Sequence, residues 1–134
     1  ATMVQFEGTY MHEKDDNLNE VLIQAKMPGA LRKIVCNAKP TIEIKVNGND
    51  WTIITQLPIK NITWNFSLDQ ETKVEGPEGN MKAKFSLQAN TLLQLGCDDY
   101  SNLVIERTFT DTAMIQTVTH KPSGIKGSRS FTRA

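Results

Sequence analysis

Along most of the chain apolar and polar residues alternate with a period of two, the mark of strands that bury one face. Over 41–46, Ile42, Ile44 and Val46 share a face, and the Asn47-Gly48 pair that follows is a hairpin signal. A return strand starts at Trp51 and runs through Ile53 to Leu57. The clearest alternation sets Ile62, Trp64, Phe66 and Leu68 against Thr63, Asn65 and Ser67. Further strands are predicted over 71–74, 81–87, 91–95, 103–109, 113–119 and 127–132, separated by turn-forming clusters at 76–80, 89–90, 98–102, 110–112 and 121–124. With one more over 4–11 this makes about ten short strands, the pattern of an all-β antiparallel sandwich or barrel.

One segment has a different period. Between Asn17 and Lys39 the apolar residues fall at Leu18, Val21, Leu22 and Ala25, then at Leu31, Ile34, Val35 and Ala38, both sets spaced i, i+3, i+4, i+7. Two amphipathic helices are predicted. Asn17 with Glu20 three residues on reads as a capping box, Pro28-Gly29 interrupts the run, and Pro40 bars continuation. Nine strands that close on themselves leave few places for two short helices other than a lid.

Composition narrows the function. A length of 134 residues suits one domain spanning 1–134. Fifteen Lys and Arg balance fifteen Asp and Glu, so the footprint of a nucleic-acid binder is missing. The start, Ala1 to Phe6, has neither the basic nor the apolar region of a signal peptide, and no apolar run approaches the ~18 residues of a membrane span. The two cysteines, Cys36 and Cys97, allow at most one disulfide and lack metal-site or redox spacing; two reduced thiols in a cytoplasmic protein is the expectation. His12 and His120 lie at opposite ends of the chain, and no nucleophile-base pair suggests itself, so neither an enzyme nor a cofactor is expected.

The informative anomaly is a pair of arginines. Over 103–109 Arg107 shares a face with Leu103, Ile105 and Phe109, and Arg129 falls in register with Phe131. Burying an unpaired guanidinium is costly, so a charge on an inward face has a fixed partner or awaits an anionic one. The alternatives are that the face is solvated or that each arginine pairs with a Glu or Asp of the chain. Gln116, on the register of Met114 and Val118, could add a hydrogen bond at the same depth. A barrel of this size holds one small ligand. An apolar interior with two cationic forks suits an amphiphile with a long chain and a carboxylate.

These residues resemble the intracellular lipid-binding proteins, and within them the cytosolic fatty-acid-binding proteins. Phe6-x-Gly8-Thr9-Tyr10 resembles the family's opening Phe-x-Gly-x-Trp. The helical segment followed by Lys39-Pro40-Thr41 is similar to its lid and Lys-Pro-Thr, and Lys60-Asn61 with Phe66-x-Leu68 to its Lys-Asn-x-x-x-x-Phe-x-Leu strand. Arg107 and Arg129 stand where the family keeps its carboxylate-binding arginines, and the likeness runs through essentially the whole chain. It implies a ten-stranded antiparallel β-barrel, or β-clam, capped by a helix-turn-helix lid after the first strand. It also implies non-covalent binding of a long-chain fatty acid in an internal cavity for intracellular transport. A retinoid carrier of the same fold is the alternative.

By the same resemblance Arg107, Arg129, Gln116 and Phe131 line the head-group site, with Phe131 replacing the usual Tyr and removing its phenol. The portal and cavity are lined by Leu18, Met27, Leu31, Ile59 and Trp64, with Ile59 where many members have a gating Phe. A monomer is expected. Transient membrane contact through the lid, by Arg32 and Lys33, competes with a plain solvated helix face.

Overall fold

The computed structural model describes residues 5–58, 60–76, 79–97 and 101–134. Its strands are β1 (Gly8–Asp16), β2 (Thr41–Asn47), β3 (Asp50–Gln56), β4 (Asn61–Ser67), β5 (Glu71–Gly76), β6 (Gly79–Gln88), β7 (Thr91–Gly96), β8 (Leu103–Phe109), β9 (Ala113–His120) and β10 (Lys126–Arg133). Helices α1 (Leu18–Gln24) and α2 (Gly29–Asn37) lie between β1 and β2. One sheet runs β4-β3-β2-β1-β10-β9-β8-β7-β6-β5, so the first and last strands pair with each other and the meander curls into a lidded β-clam. The ladder is not fully closed. Among the described residues none joins β4 to β5, and the seam is bridged by side chains. Trp64 Nε1 donates to the Glu75 carbonyl at 2.8 Å, and Lys60 Nζ lies 2.7 Å from Glu75 Oε2. A period of two fixes which face a strand buries, not which neighbours its edges meet.

Three local expectations are corrected. The first hairpin turns at Gly48-Asn49, one residue after the expected Asn47-Gly48: Asn47 pairs with Asp50, and Gly48 takes φ 62° at the first central position. The first strand runs later than 4–11 and contains a bulge, because its partners shift between His12 and Lys14. There is no capping box. Asn17 is left-handed at φ 54°, makes no side-chain cap, and donates instead from Nδ2 to the Lys126 carbonyl at 2.8 Å, tying α1 to β10. The expected break at Pro28-Gly29 does separate the helices, and α1 closes ahead of it. Lys26 turns left-handed at φ 61°, and the Lys26 and Met27 amides return to the Ile23 and Leu22 carbonyls, a Schellman closure.

The inward faces carry Ile42, Ile44, Trp51, Ile53, Phe85 and Leu92 among others, which form one apolar cluster. A second cluster joins lid to barrel: Leu18, Val21 and Leu22 pack on Val118, with Met27 and Val35 against them. Docking is at backbone level, since a Cβ on Gly127 would stand 2.6 Å from the Asn17 carbonyl oxygen and 2.8 Å from Leu18 Cα. Helix α2 buries no residue fully, and Ile34 is 66% exposed, so its apolar stripe only partly faces the barrel.

The end away from the lid is clamped by Arg133. Its guanidinium donates to the carbonyls of Gln5, Glu7 and Asp111 and to the Tyr10 hydroxyl, and lies 4.9 Å from the Tyr10 ring. Tyr10 in turn donates to the Phe6 carbonyl at 2.8 Å, and the Phe6 ring meets Phe109 edge-on at 5.2 Å. Arg133→Ala is expected to lower the thermal midpoint by roughly 5–10 °C, with Arg133→Lys recovering little of it, because Lys lacks the planar fork. A calorimetric midpoint within 2 °C of wild type, roughly the effect of half a kcal/mol, would refute the clamp.

Burial raises the Tyr10 pKa above its ordinary 10.0, against an opposing pull from Arg133. Folding therefore favours the protonated phenol. That stability is whole below pH 10 and is lost as pH rises through the raised folded value. Alkaline unfolding should accordingly begin above pH 10 and be delayed in Tyr10→Phe; identical alkaline profiles for the two proteins would count against it.

Candidate functional site

Strand register assembles the site. Across β7, β8, β9, β10 and β1 the paired residues are Leu92, Arg107, Gln116, Arg129 and Asp15, one continuous row on the inward face. Arg107 is 4% exposed although Ile105 and Phe109, its neighbours on the same face of the strand, are apolar. Its Nη1 donates to Gln94 Oε1 at 2.8 Å, its guanidinium lies 5.6 Å from the Trp64 ring centroid, and its Nε is buried with no acceptor. No carboxylate pairs with it among the described residues. Desolvation lowers its pKa from the ordinary arginine value to about 10, so the side chain stays charged at neutral pH at a standing cost to the fold.

Arg129 is buried but paired with an acid. Its Nε and Nη2 donate to the two Asp15 carboxylate oxygens at 2.9 and 3.4 Å, and Nη2 also donates to the Ala38 carbonyl. Of the alternatives open for the two arginines, pairing within the chain is found at Arg129 and an unmatched buried cation at Arg107. Gln116 is half-buried and stands between them in register. Phe131 is buried one step along from Arg129, with the His12 ring edge-on at 5.6 Å.

The expected portal residues do not all gather. Leu18 and Met27 belong to the lid cluster, where Leu18 is buried rather than lining an opening. Leu31 is half-buried on α2 and outside that cluster. Trp64 bridges the β4–β5 seam and packs on Phe85, with ring centroids 6.0 Å apart. Ile59 lies outside the described residues, as do Val4 of the expected first strand and parts of the turns at 76–80 and 98–102. Arg32 is not a free surface charge: it donates to the Met27 carbonyl at 2.7 Å and to Asn19 Oδ1 at 3.3 Å, binding the two helices together. Lys33 is exposed.

Two site residues escape a reading of the sequence. Gln94 is buried and shares the inward register of Leu92, the same anomaly that marks Arg107, so it was there to be found. Asp15 carried no such signal, because the bulge in β1 reverses the faces beyond it. No group of three His, Cys, Asp or Glu among the described residues could hold a metal ion.

A lidded ten-stranded clam with cationic side chains turned into its interior defines the architecture of a small-molecule carrier. The comparisons agree. No family model matches the chain. The chain is 31% identical over 134 residues to a fatty acid-binding protein of Tyrophagus putrescentiae, covering 98% of this chain and 99% of that one. It is also 31% identical over 118 residues to fatty acid-binding protein homolog 5 of Caenorhabditis elegans, covering 85% and 87%. The brain fatty acid-binding protein of Drosophila melanogaster superposes with a TM-score of 0.83 at 28% identity over 97% of this chain and 100% of that one. The chain belongs to the fatty-acid-binding proteins of the intracellular lipid-binding family, which is cytoplasmic and non-enzymatic.

Proposed function

We propose that the protein binds a long-chain fatty acid non-covalently inside the barrel and carries it within the cell, its carboxylate drawn to the inward row that contains Arg107 and Arg129. The observation that carries this reading is Arg107, a buried guanidinium with one hydrogen bond to a side chain, an idle Nε and no anion beside it among the described residues. A carboxylate supplies both the missing charge and the missing acceptor, since Arg binds carboxylates through two parallel bonds. Gln94 and Gln116 supply neutral polar groups at the same level, and Phe131 keeps the neighbouring wall apolar. Each methylene buried from water adds about 0.8 kcal/mol, so the acyl chain supplies most of the affinity and the row sets the orientation.

The protein acts as a monomer, and the exposed Ile34 beside Lys33 on α2 supports brief contact of the lid with an anionic membrane during transfer. Displacement of a fluorescent fatty-acid probe by oleate, with native mass spectrometry of the complex, tests the central claim. One bound oleate per chain is the expected result. Absence of both bound lipid and displacement would overturn it, and tighter displacement by retinoic acid would move the reading to a retinoid carrier.

A further inference from the structure

The bulge in β1 brings an acidic side chain to the inward row. Lys14, Asp15 and Asp16 pair with Ser130, Arg129 and Ser128, so Asp15 rather than Asp16 faces the guanidinium of Arg129. The pairing is two-pronged, at 2.9 and 3.4 Å. Asp15 is held from its other side as well, because His12 Nε2 lies 2.7 Å from Asp15 Oδ1 and the His12 side chain is almost fully buried. The Ala38 carbonyl, just beyond α2, accepts a further hydrogen bond from Arg129 Nη2. Arg129 thus has a charged, two-pronged partner and a carbonyl before any ligand arrives, and Arg107, two strands away on the same row, has no charged partner among the described residues.

We infer that Asp15 is a resident counter-ion that fills the anion site of Arg129, so that the head group of an entering fatty acid is steered to Arg107 and Gln94. This rests on the fatty-acid reading above. The charge balance on the row supports it: Arg107 and Arg129 against Asp15 leave one uncompensated positive charge, which a single carboxylate neutralises. With Asp15 in place, a ligand carboxylate at Arg129 would have to displace an acid that is already paired there and held in position by His12. At Arg107 it displaces only one neutral amide contact.

The test is a set of variants read by oleate affinity and by the 13C resonance of oleate labelled at its carboxyl carbon, with thermal midpoints confirming that each variant folds. In the wild-type background Arg107→Met should weaken oleate about 30-fold. In the Asp15→Asn background, where Arg129 is freed, the same substitution should weaken it less than about 5-fold, because the head group moves to Arg129. The Asp15→Asn/Arg129→Met double variant should restore full dependence on Arg107 without leaving a buried acid unpaired. The carboxyl resonance should shift between wild type and Asp15→Asn, which a purely structural role for Asp15 would not produce. Equal losses in both backgrounds with an unmoved resonance overturn the inference, whereas wild-type protein that binds no oleate overturns the fatty-acid reading itself.

Discussion

Replacing Arg107 by methionine is expected to move affinity and stability in opposite directions. Burial holds its pKa down at about 10, well below the ordinary arginine value, which corresponds to about 3 kcal/mol set against the charged form inside the barrel. For a base whose folded pKa is depressed, the favourable neutral state is reached only as pH rises through that value. At pH 7 the cost is therefore present in full. Methionine fills a similar volume without it. Losing the contact to Gln94 returns about 1–2 kcal/mol of the gain, as an amide is left without its partner. The ligand-free variant should unfold at the wild-type temperature or a few degrees higher, while oleate binding weakens by one to two powers of ten, about 1.5–3 kcal/mol. A lower midpoint with unchanged affinity would mean that Arg107 is a structural residue, and the head-group assignment would fall with it.

The second large effect is expected at Gly127, where the lid meets the barrel. Its neighbours at the place of a Cβ are the Asn17 carbonyl oxygen, Leu18 Cα and Val21 Cγ1, the last also at 2.8 Å; two of the three are backbone atoms that cannot swing aside. Gly127→Val must push α1 outward. That loosens Leu18, Val21 and Leu22 from Val118, and overpacking of this kind costs about 1–3 kcal/mol or more before the lost burial is counted. A fall of about 10 °C in the midpoint and release of oleate at least about tenfold faster are predicted, with Gly127→Ala intermediate. Stopped-flow release at the wild-type rate would show that the lid does not govern exit.

Much of this architecture was legible in the chain because strands and helices bury one face. Every strand from β2 to β10 was placed by its alternation, and both helices by their 3.6-residue spacing. Arg107 was legible for the same reason, as a charge on an apolar register. The losses have a common physical cause: periodicity describes a strand in isolation. A single extra residue at the bulge sends Asp15 inward and conceals the partner of Arg129, 114 positions away. Helical spacing found the stripe of α2 but could not tell that Ile34 remains in water while Val35 packs inward, because that depends on how the lid leans. The capping box failed similarly: Asn17 has the right chemistry for a cap and spends its amide on Lys126, a partner invisible to local reasoning.

The seam between β4 and β5 has a consequence for how the protein behaves in a crowd of its own copies. Strand edges without a ladder are templates for adding a further strand, and sheets that leave them open tend to aggregate or swap segments. Here the two edges face each other within one molecule, with Trp64 bonded to the backbone of Glu75 and the Lys60 charge at the rim. Any opening of the barrel at this line also uncovers two sticky margins, so the suppleness that lets a carrier admit its cargo is bound to a hazard of self-association that rises with concentration.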